Sequence, residues 1–156
     1  MNYIPSPVDA LKEFCRVTSH RGTIAVYLWD YAQGARFLRE FWDAAIAVDH
    51  EAASFDQAHR FPICNPEGLQ SLFEQAGLKH TSLHTLEVVT HFTSFDDYWA
   101  PLLTGQGSAP NYLATRDQKT QTAIRERLRA VLSADSHGAI DLPARAWAIR
   151  ARNPGV

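Results

Sequence analysis

Two cysteines, Cys15 and Cys64, are all that the 156 residues contain, and they stand far apart, outside any CxxC pair. A disulfide framework and a zinc ribbon are thereby excluded, and both thiols read as small core or interface residues. No apolar run approaches the ~20 residues that cross a bilayer, and the amino terminus lacks the basic-then-apolar order of a signal peptide. A cytoplasmic protein without membrane contact is the expectation. Charge of one sign is missing too. With 15 basic against 17 acidic residues, and the basic ones scattered apart from the run Arg125 to Arg129, nothing marks a nucleic-acid or anionic-membrane surface. Repeats and low-complexity tracts are absent. What remains is 46% hydrophobic and 21% charged, an ordinary composition for a folded domain with its own core.

Pro7 suits the first turn of a helix with Ser6 as its cap, and Val8, Leu11, Phe14 or Cys15, and Thr18 recur at helical spacing over residues 7 to 19. After Gly22, the run Thr23-Ile-Ala-Val-Tyr-Leu-Trp29 has almost no polar interruption and predicts a strand covered on both faces. Phe37, Leu38, Phe41, Trp42, Ala45 and Val48 make a wide apolar stripe on a helix over 34 to 49, buried on more than one side. Asn65-Pro66-Glu67 opens another helix, with Leu69, Leu72, Phe73 and Ala76 on its face and Gly77 ending it.

Residues 78 to 90 read as a strand through Leu83, Leu86, Val88 and Val89. Ser94 caps a short helix with Asp97 at the third position. A Gly, Ser and Pro-rich loop covers 104 to 110, and a helix over 117 to 133 presents Ile124, Leu128, Val131 and Leu132. The last strand is expected over 139 to 149, with an irregularity near Pro143. The whole is an α/β chain, read as a single domain over 1–156 with a helical insertion at about 92–138.

Histidines raise the question of a metal. His80 and His84 would share one strand face with His91 nearby, yet no carboxylate or cysteine joins them at ligand spacing, and no metal site is expected. His20, His59 and His137 fall in expected loops without an evident partner, and neither cysteine has a base beside it, so no catalytic residue is assigned.

Taken in order, Asn2-Tyr-Ile-Pro-Ser-Pro-Val-Asp-Ala-Leu11, Arg16-Val-Thr18, Gly22-Thr-Ile-Ala-Val-Tyr-Leu-Trp-Asp-Tyr31, Glu67-Gly-Leu-Gln-Ser-Leu-Phe-Glu-Gln-Ala-Gly-Leu78, Phe95-Asp-Asp-Tyr-Trp-Ala-Pro-Leu-Leu103 and Ala144-Arg-Ala-Trp-Ala-Ile-Arg150 resemble the C-terminal half of class I S-adenosylmethionine-dependent methyltransferases of the small-molecule type. The resemblance covers nearly the whole chain. It implies a partial Rossmann-like methyltransferase fold, with strands equivalent to the family's fifth, seventh and sixth, the last strand running antiparallel between the other two.

S-adenosylmethionine is the implied cofactor and an unknown small molecule the implied methyl acceptor. The family holds its cofactor by a glycine-rich turn after the first strand and an acidic residue ending the second, and nothing here matches GxGxG. Met1 stands where the family has the end of its fourth strand. The resemblance therefore implies that strand 23–29 is an edge, to be covered by a second copy of the chain or by a partner carrying the N-terminal half. By the same topology Asn2 and Tyr3 would border the cofactor cleft. Trp29, Asp30 and Tyr31 would face the substrate crevice, and Trp42, Asp97, Tyr98 and Trp99 would help roof it.

Each of these residues has a plainer reading. Trp29 and Trp42 also read as core, Asp30 as the cap of a turn, and Asp96 and Asp97 as helix N-terminal residues. Trp147 reads as packing. Functionally the choice lies between a methyltransferase not competent as an isolated chain, a non-catalytic binding or interaction module derived from that family, and a truncated gene product.

Overall fold

A computed structural model describes residues 1–155. Its strands form one three-stranded sheet in the order β1 (Thr23–Trp29), β3 (Ile140–Arg152), β2 (Ser82–Phe92). The last strand of the chain is therefore the central one, and β1 runs antiparallel to it from Thr23 opposite Arg152 to Trp29 opposite Ala146. The architecture is mixed α/β. No helix of the described residues is long and apolar enough to cross a membrane.

The chain divides into two compact units. The first comprises Met1–Asp30, Phe61–Glu87 and the described residues from Arg145 onward. Within it α1 (Pro7–Val17) packs on α4 (Pro66–Gln75), and Leu11, Leu69 and Phe73 are fully buried. Each such side chain is worth about 2 kcal/mol of transfer from water. α4 follows its local signals closely: the Asn65 side-chain oxygen accepts from the Gly68 N–H at 2.7 Å, Pro66 fills the first turn, and Gly77 leaves the helix with φ of 82°, a conformation that suits glycine. α1 keeps to its expected place but is capped differently. The Ser6 hydroxyl donates to the Asp9 carboxylate at 2.5 Å and makes no hydrogen bond to the helix backbone.

β1 corrects the expectation of a strand covered on both faces. Ile24, Val26 and Leu28 are buried, whereas Thr23, Ala25 and Tyr27 are exposed, Tyr27 by 72%. The ladder between β1 and β3 ends at Ala146, and β3 continues through Pro143 with only an isolated bridge from Ala144 to Ala35. The bulge or irregularity expected near Pro143 does not break the strand: β3 runs continuously through it, and the ladder ends at Ala146 because β1 ends at Trp29. The strand expected from residue 78 begins at Ser82 instead. Leu78 is buried and His80 adopts φ of 54°, which turns the chain before the strand starts.

The second unit comprises Tyr31–Arg60 and Val88–Ala144. Its core gathers Phe41, Trp42, Ala44 and Ala45 of α2 (Arg36–Val48) with Tyr112, Leu113, Ile124 and Leu128. α7 (Gln118–Val131) starts at Asp117, whose carboxylate accepts from the Thr120 N–H at 2.8 Å. Val131, expected on its apolar face, lies on the outside while Ile124, Leu128 and Leu132 are buried. The segment read as a loop over 104 to 110 is helical from Ser108, where α6 (Ser108–Ala114) begins after Gly107 at φ of 96°. A short helix α3 (Gln57–Arg60) follows a 3₁₀ turn at His50–Ser54.

Buried polar groups in this unit are paired. Arg39 donates to Asp56 at 2.7 Å, and Asp56 is fully buried. The Trp42 indole N–H donates to the Gln57 side-chain oxygen at 2.6 Å. Such pairs fix the register of α2 against α3 more than they add net stability.

Candidate functional site

In the second unit a cavity of about 390 Å³ opens between the start of α2 and the segment that follows β2. Its apolar wall is Phe37, Leu38, Phe92 and Leu102, and Gln57 and Tyr98 supply polar atoms. α5 (Phe95–Trp99) places Tyr98 there through its cap. The Ser94 hydroxyl accepts from the Asp97 N–H at 3.1 Å, and the Asp97 carboxylate accepts from the Thr93 N–H at 2.8 Å. This is a capping-box arrangement shifted by one residue, and it accounts for Asp97 as a helix-terminal group.

Tyr98 is buried, and its hydroxyl donates to the Phe37 carbonyl at 2.9 Å. Burial, reinforced by the nearby Glu40 charge, raises its pKa well above the usual tyrosine value. Tyr98 is consequently a permanent hydrogen-bonding group at neutral pH and not a base. Among the described residues, no Asp, Glu, His, Lys, Arg or Cys lines this cavity. It can enclose and orient an apolar molecule with a few polar substituents, and it brings no proton acceptor of its own.

The other expected substrate residues of this unit lie elsewhere in it. Trp42 is buried in the core and held by Gln57. Trp99 stacks on Phe95, ring centroids 6.3 Å apart, and Tyr31 is buried. Gln57, Phe92 and Leu102 were not singled out from the sequence. Phe37 and Leu38 belong to the broad stripe of α2, and its width was the signal: it exceeded what one packing face needs, and the surplus lines the cavity.

In the first unit, Asp30 is buried and its Oδ2 accepts from both Nε and a terminal nitrogen of Arg145, at 3.0 and 2.6 Å. The Arg145 guanidinium also lies over the Trp147 ring at 4.9 Å. Asp30 thus joins the end of β1 to β3. Trp29 beside it is about one-third exposed. Tyr3 is exposed and meets Phe61 edge-on at 4.7 Å. The side-chain nitrogen of Asn2 is buried with no hydrogen-bond partner, which is costly unless something else accepts from it.

That orphan donor is where the structure offers most toward a cofactor. A ribose hydroxyl or a carboxylate could accept from it. One donor is a margin and not a site, because S-adenosylmethionine, the cofactor that the sequence resemblance implies, needs a row of backbone N–H groups and an acidic residue. The residues present therefore do not by themselves fit S-adenosylmethionine. Among the described residues no cluster of three or more His, Cys, Asp or Glu could hold a metal ion. His91 lies 2.7 Å from the Asp141 carboxylate as an exposed pair.

No protein-family model matches the chain, and no curated protein matches its sequence. Among solved structures it is similar to "a putative methyltransferase" from Bacillus halodurans C-125, with 13% identity and a TM-score of 0.49 over 98% of this chain. The chain spans 60% of the length of that structure.

Proposed function

We propose that these residues form the acceptor side of an S-adenosylmethionine-dependent methyltransferase acting on a small molecule, within a partial Rossmann-like fold. The reading rests on the sequence segments quoted above, and the observation that carries it is the strand order, with the last strand central and antiparallel to β1. Methyl transfer from a sulfonium is a direct displacement, so alignment and exclusion of water supply most of the acceleration. The cavity walled by Phe37, Leu38, Phe92 and Leu102 would do both, with Tyr98 and Gln57 as the orienting polar groups. Its lack of a base suits an acceptor whose nucleophilic atom attacks without losing a proton to the cavity.

The cofactor side would come from a segment or partner chain carrying the glycine-rich turn. β1 is the natural place of attachment, since it is an edge strand whose face shows Ala25 and Tyr27. A second copy of this chain could cover the same edge.

The experiment starts from the coding DNA around this reading frame. An in-frame or adjacent segment with a glycine-rich turn is expected, and the product containing it should transfer a tritiated methyl group to an uncharged aromatic acceptor. Widening the cavity with Leu102→Ala should raise the acceptor KM several-fold with little change in the affinity for S-adenosylhomocysteine. An assembled product that binds no S-adenosylhomocysteine would overturn the reading. The base-free cavity also favours a second reading, a binding module without chemistry, and an assembled product that holds aromatic ligands but transfers nothing would support it.

A further inference from the structure

Five arginines fall in the first unit, and their pairing separates them. Arg16 is held by Glu13 and Arg145 by Asp30. Among the described residues, the other three, Arg21, Arg150 and Arg152, have no carboxylate partner, and all three line one pair of adjoining cavities. The smaller, about 190 Å³, is walled by Thr23, Ser82, His80, Arg150 and Arg152. The larger, about 640 Å³, shares His80 and Arg152 and adds His20, Arg21 and Lys79. Among the described residues, no carboxylate lines either one.

The backbone here is held in an unusual state. Arg21 and His80 have φ of 61° and 54°, and they are the non-glycine residues with positive φ among the described residues. Such conformations are costly for residues with a Cβ and persist where the surroundings over-determine them. Around Arg21 the surroundings centre on Asn153, which is buried. Its side-chain nitrogen donates to the carbonyls of Cys15 and Thr18 at 2.8 and 2.7 Å. Its carbonyl accepts from the Arg21 N–H at 3.0 Å, and its own N–H donates to Gly22. Arg152 adds a bond to the Arg21 carbonyl at 3.1 Å.

We propose that this pair of cavities is an anion site for a soluble phosphate ester. The smaller cavity takes the phosphate against the Arg150 and Arg152 guanidiniums and the Thr23 and Ser82 hydroxyls, and the larger takes the body of the molecule beside Lys79 and Arg21. The guanidinium fork matches phosphate oxygens two at a time, and a cluster of cations without acids raises the local concentration of anions. The site does not rest on the methyltransferase reading; it shares Thr23 with the β1 edge and uses none of the residues of the acceptor cavity.

The test is calorimetric titration of the whole chain with inorganic pyrophosphate at fixed ionic strength. Saturable one-to-one binding is expected, weakened at least tenfold by Lys79→Ala and by Arg150→Ala. Arg127→Ala, which removes an exposed charge from α7 in the other unit, should leave it unchanged. The thermal midpoints of all three variants serve as the check on folding, and each should match the parent. Absence of saturable binding would overturn the proposal, as would an equal loss in all three variants, which would mean a diffuse charge effect. Sedimentation with phosphatidylcholine vesicles carrying phosphatidic acid, without binding of free pyrophosphate, would overturn it in favour of a lipid headgroup.

Discussion

Asp30 and Arg145 lie 115 positions apart in the chain, and their side chains meet at 2.6 Å. The Asp30 N–H also donates to the Arg145 carbonyl at 3.0 Å, one step past the last pair of the β1–β3 ladder. Backbone and side chain thus close the same end of the sheet.

Replacing Arg145 by Met keeps much of the stem and removes the guanidinium from a buried carboxylate. The expected cost is about 2 kcal/mol in urea unfolding, in the range for a buried acceptor that loses its donor. Asp30→Asn combined with Arg145→Met should cost less than the sum of the two single changes, which a double-mutant cycle would read directly.

Asp49 should contribute to the pH dependence of stability in the second unit, beside Asp117 and Asp135, whose carboxyl pKa values are lowered by backbone N–H donors. The Asp49 pKa lies below the usual 3.8, first because the Tyr112 hydroxyl donates to it, with the Glu51 N–H and Arg116 assisting. A depressed carboxylate adds stability above its unfolded value near 3.8 and loses it as pH falls through the folded value. Tyr112→Phe should cost about 1.5 kcal/mol at pH 7, the worth of a hydrogen bond to a charged group. The gap between parent and variant should shrink as pH is lowered from 5 toward 3, which thermal melts across that range would measure.

Cys64 should resist alkylation. Burial, the largest cause, with the Asp30 charge adding to it, pushes its thiol up to about 11, so little thiolate exists at neutral pH. Cys15 is less buried. Iodoacetamide at pH 8 should modify Cys15 first and reach Cys64 only after urea is added, with peptide mass spectrometry reporting the order.

Arg21→Gly removes the Cβ that makes a φ of 61° costly. The expected gain is about 1 kcal/mol of stability, while the same change should weaken pyrophosphate binding. A stability gain coupled to a binding loss is the mark of strain kept for function.

Legibility in the sequence followed locality. α4 was readable because Asn65, Pro66 and Gly77 each act on their own few residues, and α7 because its apolar spacing repeats. The exposed face of β1 was not readable. A run without charged residues hides which residues a sheet buries, and Ala25 and Tyr27 are common on either face of a strand. α6 was missed because Gly107, Ser108 and Pro110 compose a loop by frequency and a helix start by geometry. Leu78 and His80 read as the start of a strand that begins only at Ser82, since a left-handed turn at a histidine leaves no mark in composition. Tyr98, named from the Phe95–Leu103 segment, does line a cavity. Gln57 was not anticipated, because a four-residue helix carries no periodic signal, and the basic cavities were not, because their residues come from three separate stretches that only folding assembles.

The proposed function is a division of labour, in which these residues would build an acceptor side and only the margin of a cofactor side. The most direct measurement is calorimetric titration of the 156-residue chain with S-adenosylhomocysteine, with its mass in solution determined alongside. The account predicts no heat beyond dilution, because Asn2 offers one buried donor where a full row is required. Binding at micromolar affinity, worth about 8 kcal/mol, would contradict it and would mean that this chain completes a cofactor site from residues other than a glycine-rich turn.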